Sequence, residues 1–217
     1  MGCVKIVKKK LIPLIIVLIL LIAIPSIHAL GTLDIYITVD EDSVSISDSS
    51  IFLIDRDTSE MCNEIIEYTA TQTVNPDISN EEFLEGVNNI SSKYGYSNIN
   101  VHIDSILDDG TLPIFSNVIG TSMEPTLHSG DTIVIKRTHN VQIGDIVTCN
   151  DTEYGLIVKR VGDVDGNWIY LESDNKTRTY RLTMTGIVKE EGLHKWVTSD
   201  RISGIVVYDL TQNIKFP

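Results

Sequence analysis

The chain has 217 residues, a formal net charge of -13 and 42% hydrophobic residues. That length accommodates one or two domains of roughly 100–200 residues each, and the apolar content suffices for a packed core. The acidic balance argues against nucleic acid as a partner, since its binding calls for a basic patch.

Residues 1–10, MGCVKIVKKK, are basic, and LIPLIIVLILLIAIPSIHAL follows as Leu11–Leu30 without an Asp, Glu, Lys or Arg. At ~1.5 Å per residue a helix of that length spans a hydrocarbon core of ~30 Å. Lys5, Lys8, Lys9 and Lys10 precede the run, and Asp34, Asp40, Glu41 and Asp42 follow it. The positive-inside rule then predicts a single-pass cell-membrane anchor at 11–30, a cytoplasmic tail at 1–10 and the bulk on the extracytoplasmic side. A cleaved signal peptide ending near Ala29 is the competing reading, with the same exterior placement.

Residues 31–113 read as a small α+β spacer or accessory domain. "LDIYITV" alternates as a strand does, and "SIFLID" is a second short apolar run. "TSEMCNEIIEYTATQ" sets Met61, Ile65 and Tyr68 on one helical face. In "SNEEFLEGVNNISSKYG", Ser79 and Glu82 have capping-box spacing, Phe83, Val87 and Ile90 form an apolar stripe, and Gly95 marks a stop. "NINVHI" reads as a strand. No catalytic cluster stands out in this region.

Residues 114–217 change character. "DTIVIKR", "GDIVTCN", "GLIVKRVG", "NWIYLES", "TGIVKEE" and "ISGIVVYDL" are short β-type runs separated by turn residues, which predicts a mainly β, barrel-like or coiled-sheet domain. Ahead of them lies "GTSMEPTLHSGD", with Ser122 between a glycine-loosened turn and a proline. A serine hydroxyl is a weak nucleophile until a base takes its proton. His128, His139 and His194 sit in polar loops and read as surface. Lys159 closes the apolar run Leu156–Val158, and strand alternation puts it on the side of Ile157 and Val161. Desolvation there favours the neutral amine, the form able to accept a proton. A sheet-edge lysine with its head in water fits the same spacing.

"GTSMEPTLHSGD", then "GDIV", then "IVKRV" resembles the boxes of the type I signal peptidases, membrane-bound serine–lysine peptidases. Gly120, Ser122, Met123, Pro125, Thr126, Leu127, Gly130 and Asp131 match the first box. Gly144 to Val147 match the second, and Lys159, Arg160 and Val161 the third. The resemblance covers about Ser116 to Tyr208. It implies a mainly β catalytic domain, with the coiled β-sheet fold shared by signal peptidases and self-cleaving repressors, after one transmembrane helix and the α+β domain. It implies Ser122 as nucleophile, Lys159 as general base, and a pocket for small residues lined by Val118, Ile119, Ile157 and Val158. Gly120 stands where some relatives carry a side-chain oxyanion donor, so the Ser122 backbone N–H must supply more of that stabilisation.

The last box departs from the family pattern. Asp174 and Asn175 match its D-N, Ser173 replaces the glycine, and Thr179, Tyr180 or Arg181 stands where the family has a second acid; the resemblance implies Thr179 as a candidate hydroxyl to orient the lysine and a structural role for Arg160. The implied partners are signal peptides of exported preproteins, the lipid bilayer and secretion machinery, with no metal or organic cofactor. Three alternatives stay open: a peptidase dedicated to a few surface proteins, a non-catalytic membrane-anchored surface or assembly module, and a self-cleaving repressor relative. The anchor, the acidic charge and "MEPTL" speak against the last. Cys3, Cys62 and Cys149 form no CxxC pair, and Cys62 with Cys149 is either a disulfide or two buried thiols. Asn89-Ile90-Ser91, Asn150-Asp151-Thr152 and Asn175-Lys176-Thr177 are N-x-S/T sequons.

Overall fold

A computed structural model describes residues 32–50, 58–177, 179–183, 186–190 and 192–217. The expected anchor at 11–30 and most of the "SIFLID" run lie outside the described residues. Among the described residues no helix is long and apolar enough to cross a membrane.

The first unit begins with β1 (Leu33–Val39), whose alternation sends Leu33, Ile35, Ile37 and Val39 inward. β1 is the middle strand of a three-stranded sheet, antiparallel to β2 (Val44–Ser50) and parallel to β3 (Ile99–Ser105). A parallel return needs a long crossover. Here it contains α1 (Ser59–Gln72) and α2 (Asn80–Lys93). Ser79 and Glu82 form the capping box at the start of α2. Met61 and Ile65 of α1 and Phe83, Val87 and Ile90 of α2 cover the inner face of the sheet. Tyr68 and Phe83 stack with centroids 5.6 Å apart. The helices approach closely because residue 86 is glycine: a Cβ there would fall 2.1 Å from the Tyr68 Oη.

The second unit is β-rich. β4 (Ile114–Asn117), β5 (Thr132–Lys136), β6 (Ile146–Asp151), β7 (Gly155–Asp165), β8 (Trp168–Glu172), β11 (His194–Thr198) and β12 (Ile202–Asp209) form one sheet in the order β11-β8-β7-β6-β12-β5-β4. Its pairings are antiparallel, and β13 (Ile214–Lys215) adds to the end of β12. β9 (Thr179–Thr183) and β10 (Gly186–Glu190) make a separate two-stranded antiparallel sheet. Consecutive residues of the central strands enter different cores. Ile146 packs with Ile133, Ile135 and Val206, whereas Val147 packs with Val161, Leu171 and Ile202. A sheet buried on both faces in this way is curled over itself, and its strands read as continuous apolar runs. Gly204 permits the tight contact of β12 with β5, since a Cβ there would lie 2.2 Å from the Lys136 carbonyl oxygen.

Arg137, at the end of β5, joins the two units. Its Nε donates to Leu112 O at 3.1 Å, Nη1 to Asn75 O at 2.8 Å and Ile78 O at 2.9 Å, and Nη2 to Gln72 O at 2.6 Å. Two of these carbonyls, Gln72 and Asn75, lie at or just beyond the C-terminus of α1, where orphan carbonyls and the helix dipole favour a cation. Burial pushes the guanidinium down to about 10, so it stays charged at neutral pH. Leu112 belongs to the first core and Ile114 to the second, while Phe115 packs against the first and its N–H donates to Thr73 O. Cys62 and Cys149 are free thiols, so no bridge adds to this joint.

Removing the guanidinium strands several half-buried carbonyls at once. Arg137→Ala should cost about 2–3 kcal/mol, the worth of charge-assisted hydrogen bonds lost with partial rehydration. Thermal unfolding should show a fall of about 5–10 °C for a chain of this size. Arg137→Lys should recover only part of it, because one ammonium cannot span the same fork of acceptors.

Candidate active site

Ser122 sits in the excursion between β4 and β5. The neck of that loop is closed by Val118 N–H to Asp131 O at 2.8 Å and Gly130 N–H to Val118 O at 2.9 Å. Gly120 and Gly130 have φ of 92° and 99°, the left-handed region in which glycine meets no steric penalty. Inside the loop, Thr126 and Leu127 N–H both donate to Met123 O. That turn drives Met123 and Leu127 together into the core, where they are 1% and 0% exposed. The Asp131 carboxylate accepts from His128 N–H and from Gln212 Nε2, both at 2.6 Å. Apolar anchors below and a hydrogen-bonded neck thus hold a half-buried serine at the surface of the sheet.

Lys159 reaches that serine from β7. It pairs with Val147 across the β6–β7 ladder, and its side chain lies on the buried side, leaving the residue 5% exposed. Nζ is 2.8 Å from Ser122 Oγ and donates to Val158 O at 2.7 Å. Burial lowers its pKa below the ordinary lysine range, and the nearby Asp174 charge works against that shift. A neutral amine in this place accepts the serine hydroxyl proton directly.

Arg160 points to the opposite side of β7 and grips Asp174 with two hydrogen bonds, Nε to Oδ1 at 2.7 Å and Nη2 to Oδ2 at 2.6 Å. Its Nη1 donates to Gly144 O at 2.7 Å. Thr126 Oγ1 donates to Asp174 Oδ2 at 2.5 Å, which ties the far side of the serine loop to the same carboxylate. Desolvation raises the Asp174 pKa, but its bonds to Arg160 and Thr126 outweigh that and hold it below the usual carboxylate value. Neighbouring Asn175 donates from its backbone N–H to Ser122 O at 3.0 Å and from Nδ2 to Thr121 O at 2.9 Å. The strand containing Lys159 and the turn containing Ser122 are therefore both fastened to the 174–175 segment.

A cleft of about 580 Å³ opens over the pair. Val118, Ile119, Ile157 and Val158 all line it, joined by Tyr154, Leu156, Thr148 and Leu193, which the spacing of the boxes does not single out. Ile119 is 91% exposed and forms rim rather than floor. Leu156 was legible from strand alternation, since it lies two residues before Val158 on β7. Thr148 and Leu193 reach the cleft only through the fold of the sheet. Two strand edges face this space. β4 pairs with β5 alone, and β7 pairs with β8 only from Arg160 onward, leaving one edge of Gly155–Lys159 open among the described residues.

Gly120, at the loop entrance, carries no side-chain donor, as expected. The side chain of Thr179 lies outside the described residues, so the lysine's described partners are Ser122 and the Val158 carbonyl. His128, His139 and His194 are exposed, and none is bonded to Ser122.

Residues 85–188 match the model of the family described as Peptidase S24-like. No curated protein matches the chain. The matched span runs from α2 through β10 and contains Ser122, Lys159, Arg160, Asp174 and Asn175. That family shares a superfamily with the type I signal peptidases, and the match with the mainly β, curled sheet supports a peptidase domain of the serine-hydrolase type in general.

Proposed function

We propose that the chain is a membrane-anchored serine endopeptidase that removes signal peptides from exported preproteins, with Ser122 as nucleophile and Lys159 as general base. The observation that carries this reading is the 2.8 Å contact between Ser122 Oγ and a lysine amine kept out of water. In the acylation step Oγ attacks the scissile carbonyl as Lys159 takes the hydroxyl proton. The amine then returns a proton to the departing nitrogen, and the acyl-enzyme is released by a water that the same lysine deprotonates.

The cleft supports peptide cleavage. An extended chain laid between β4 and the open edge of Gly155–Lys159 adds as a strand, its backbone bonded to both walls and alternate side chains directed into the cleft. Cleavage of a separate molecule is favoured over self-cleavage. Residues 58–117 are folded into α1, α2, β3 and β4 with an extensive core, so this nearer upstream chain offers no free extended segment to the serine. The anchor at 11–30 and the basic tail at 1–10 support an extracytoplasmic active site. The α+β unit at 31–113 is an accessory domain that buttresses β4.

Cleavage of preproteins by membranes carrying wild-type chain, beside Ser122→Ala, tests the proposal. Only wild type should release mature protein, cut after a small residue. Lys159→Ala should lose about 10²–10⁴-fold, the usual contribution of a general base. The exposed His139→Ala and His194→Ala should stay near wild type. Cleavage by Lys159→Ala at the wild-type rate would overturn the assignment.

The pH profile gives a second check. The base works deprotonated, so the rate rises with pH through the Lys159 pKa, and burial moves that limb below the ordinary lysine range. Asp174 opposes the shift, so Asp174→Asn should move the limb to lower pH. It should also lower kcat by roughly 10- to 100-fold, as expected when a positioned group drifts. A limb that moves to higher pH would exclude this electrostatic account.

A further inference from the structure

The geometry points to Asn175 as a positioning residue: by holding the Thr121 carbonyl, its side-chain amide directs the Ser122 backbone N–H at the oxygen that becomes negatively charged. This rests on the reading of Ser122 as nucleophile. A peptide unit is planar and trans, so its C=O and N–H point in opposite directions. Whatever grips the Thr121 oxygen therefore aims the Ser122 N–H. Asn175 Nδ2 donates to that oxygen at 2.9 Å, and Glu124 N–H reaches it at 3.2 Å. The Asn175 backbone N–H holds the next carbonyl, Ser122 O, at 3.0 Å, which fixes the Ser122–Met123 unit in the same way.

Two further observations agree. The N–H groups of Ser122 and Met123 donate to no acceptor among the described residues. Free donors on the residue whose Oγ faces the cleft are what a developing oxyanion requires. The Asn175 amide is also oriented without ambiguity. Its Oδ1 accepts from Thr177 N–H at 2.9 Å, so Nδ2 is the atom left for Thr121. The arrangement matters here because Gly120 brings no side-chain donor of its own. It also commits the amide of the Asn175-Lys176-Thr177 sequon to a hydrogen bond within the fold.

The test compares a peptide aldehyde ending in alanine with the matching peptide alcohol. With the aldehyde, Ser122 Oγ bonds to the carbonyl carbon, the C=O π pair moves onto oxygen, and the hydroxyl proton passes to Lys159. The alcohol occupies the cleft without forming this adduct. In Asn175→Ala the aldehyde-over-alcohol affinity ratio should fall by about 10- to 100-fold, the scale of a weakened oxyanion donor. Alcohol affinity and the pH limb should stay in place, and kcat should fall with KM little changed. Asn175→Asp keeps the size and the acceptor for Thr177 but lacks the donor; the ratio should fall there too, while its added charge moves the pH limb upward, and it serves if the alanine variant fails to fold. An unchanged ratio in either folded variant overturns the inference, as does a parallel loss of alcohol affinity. A wild-type protein that forms no adduct at Ser122 overturns the nucleophile reading first, and this inference with it.

Discussion

A primary amine held away from water beside a hydroxyl is the constraint on which the rest of this structure depends. An ammonium in that position would be useless as a base, and burial is the influence that disfavours it. Each pKa unit of depression corresponds to about 1.4 kcal/mol between the two protonation states. Asp174 stands on the opposing side of that balance, because a carboxylate stabilises a nearby ammonium. Its field is blunted by a two-pronged bond to Arg160, which leaves a pair of nearly zero net charge next to the lysine. Arg160 and Lys159 are consecutive on one strand and therefore point to opposite faces. The pleat separates the base from the ion pair that braces its strand.

The serine loop solves a different problem. Its backbone must be rigid, yet it has little regular structure to make it so. Met123 and Leu127 sink into the core, the neck is closed at Val118 and Asp131, and Thr126 and Asn175 tie the remaining sides to the start of the segment after β8. Each tie is modest alone. Together they leave the half-buried Ser122 in reach of Lys159 while its N–H group has no acceptor among the described residues, and the same short segment, Asp174–Asn175, fixes both partners of the pair.

Where the physics is local, the sequence is explicit. The Ser79/Glu82 box and the Phe83, Val87, Ile90 stripe define α2, the apolar runs around Val134 and Val147 mark strands buried on both faces, and β8 alternates with Ile169 and Leu171 inward. The boxes around Ser122 and Lys159 name the two groups that lie in contact. Strand alternation places Lys159 on the side of Val161, but it cannot tell a buried amine from a sheet-edge lysine, because burial depends on distant strands. β2 escapes sequence reading because VSISDSS is a polar edge strand, with half-buried Val44 and Ile46 as its only apolar residues. The clamp by Arg137 has no sequence signature, since its partners are backbone carbonyls, which every residue has. Asn175 stands out only as half of a D-N pair for the same reason.

The accessory unit gains a physical role from β4. A four-residue edge strand bonded to a single neighbour is a poor wall for a cleft, since such strands fray and slip register. Here Phe115 is drawn toward the core of the α+β unit, its N–H is bonded to Thr73 O, and Arg137 clamps the end of the adjacent β5 to the carbonyls beyond α1. Ile114 is buried on the other side in the β core. β4 is thus gripped by two cores at once, and its Ser116 and Asn117 line the same cleft as Lys159. The α+β unit can in this way set the shape of the cleft over Ser122 and Lys159.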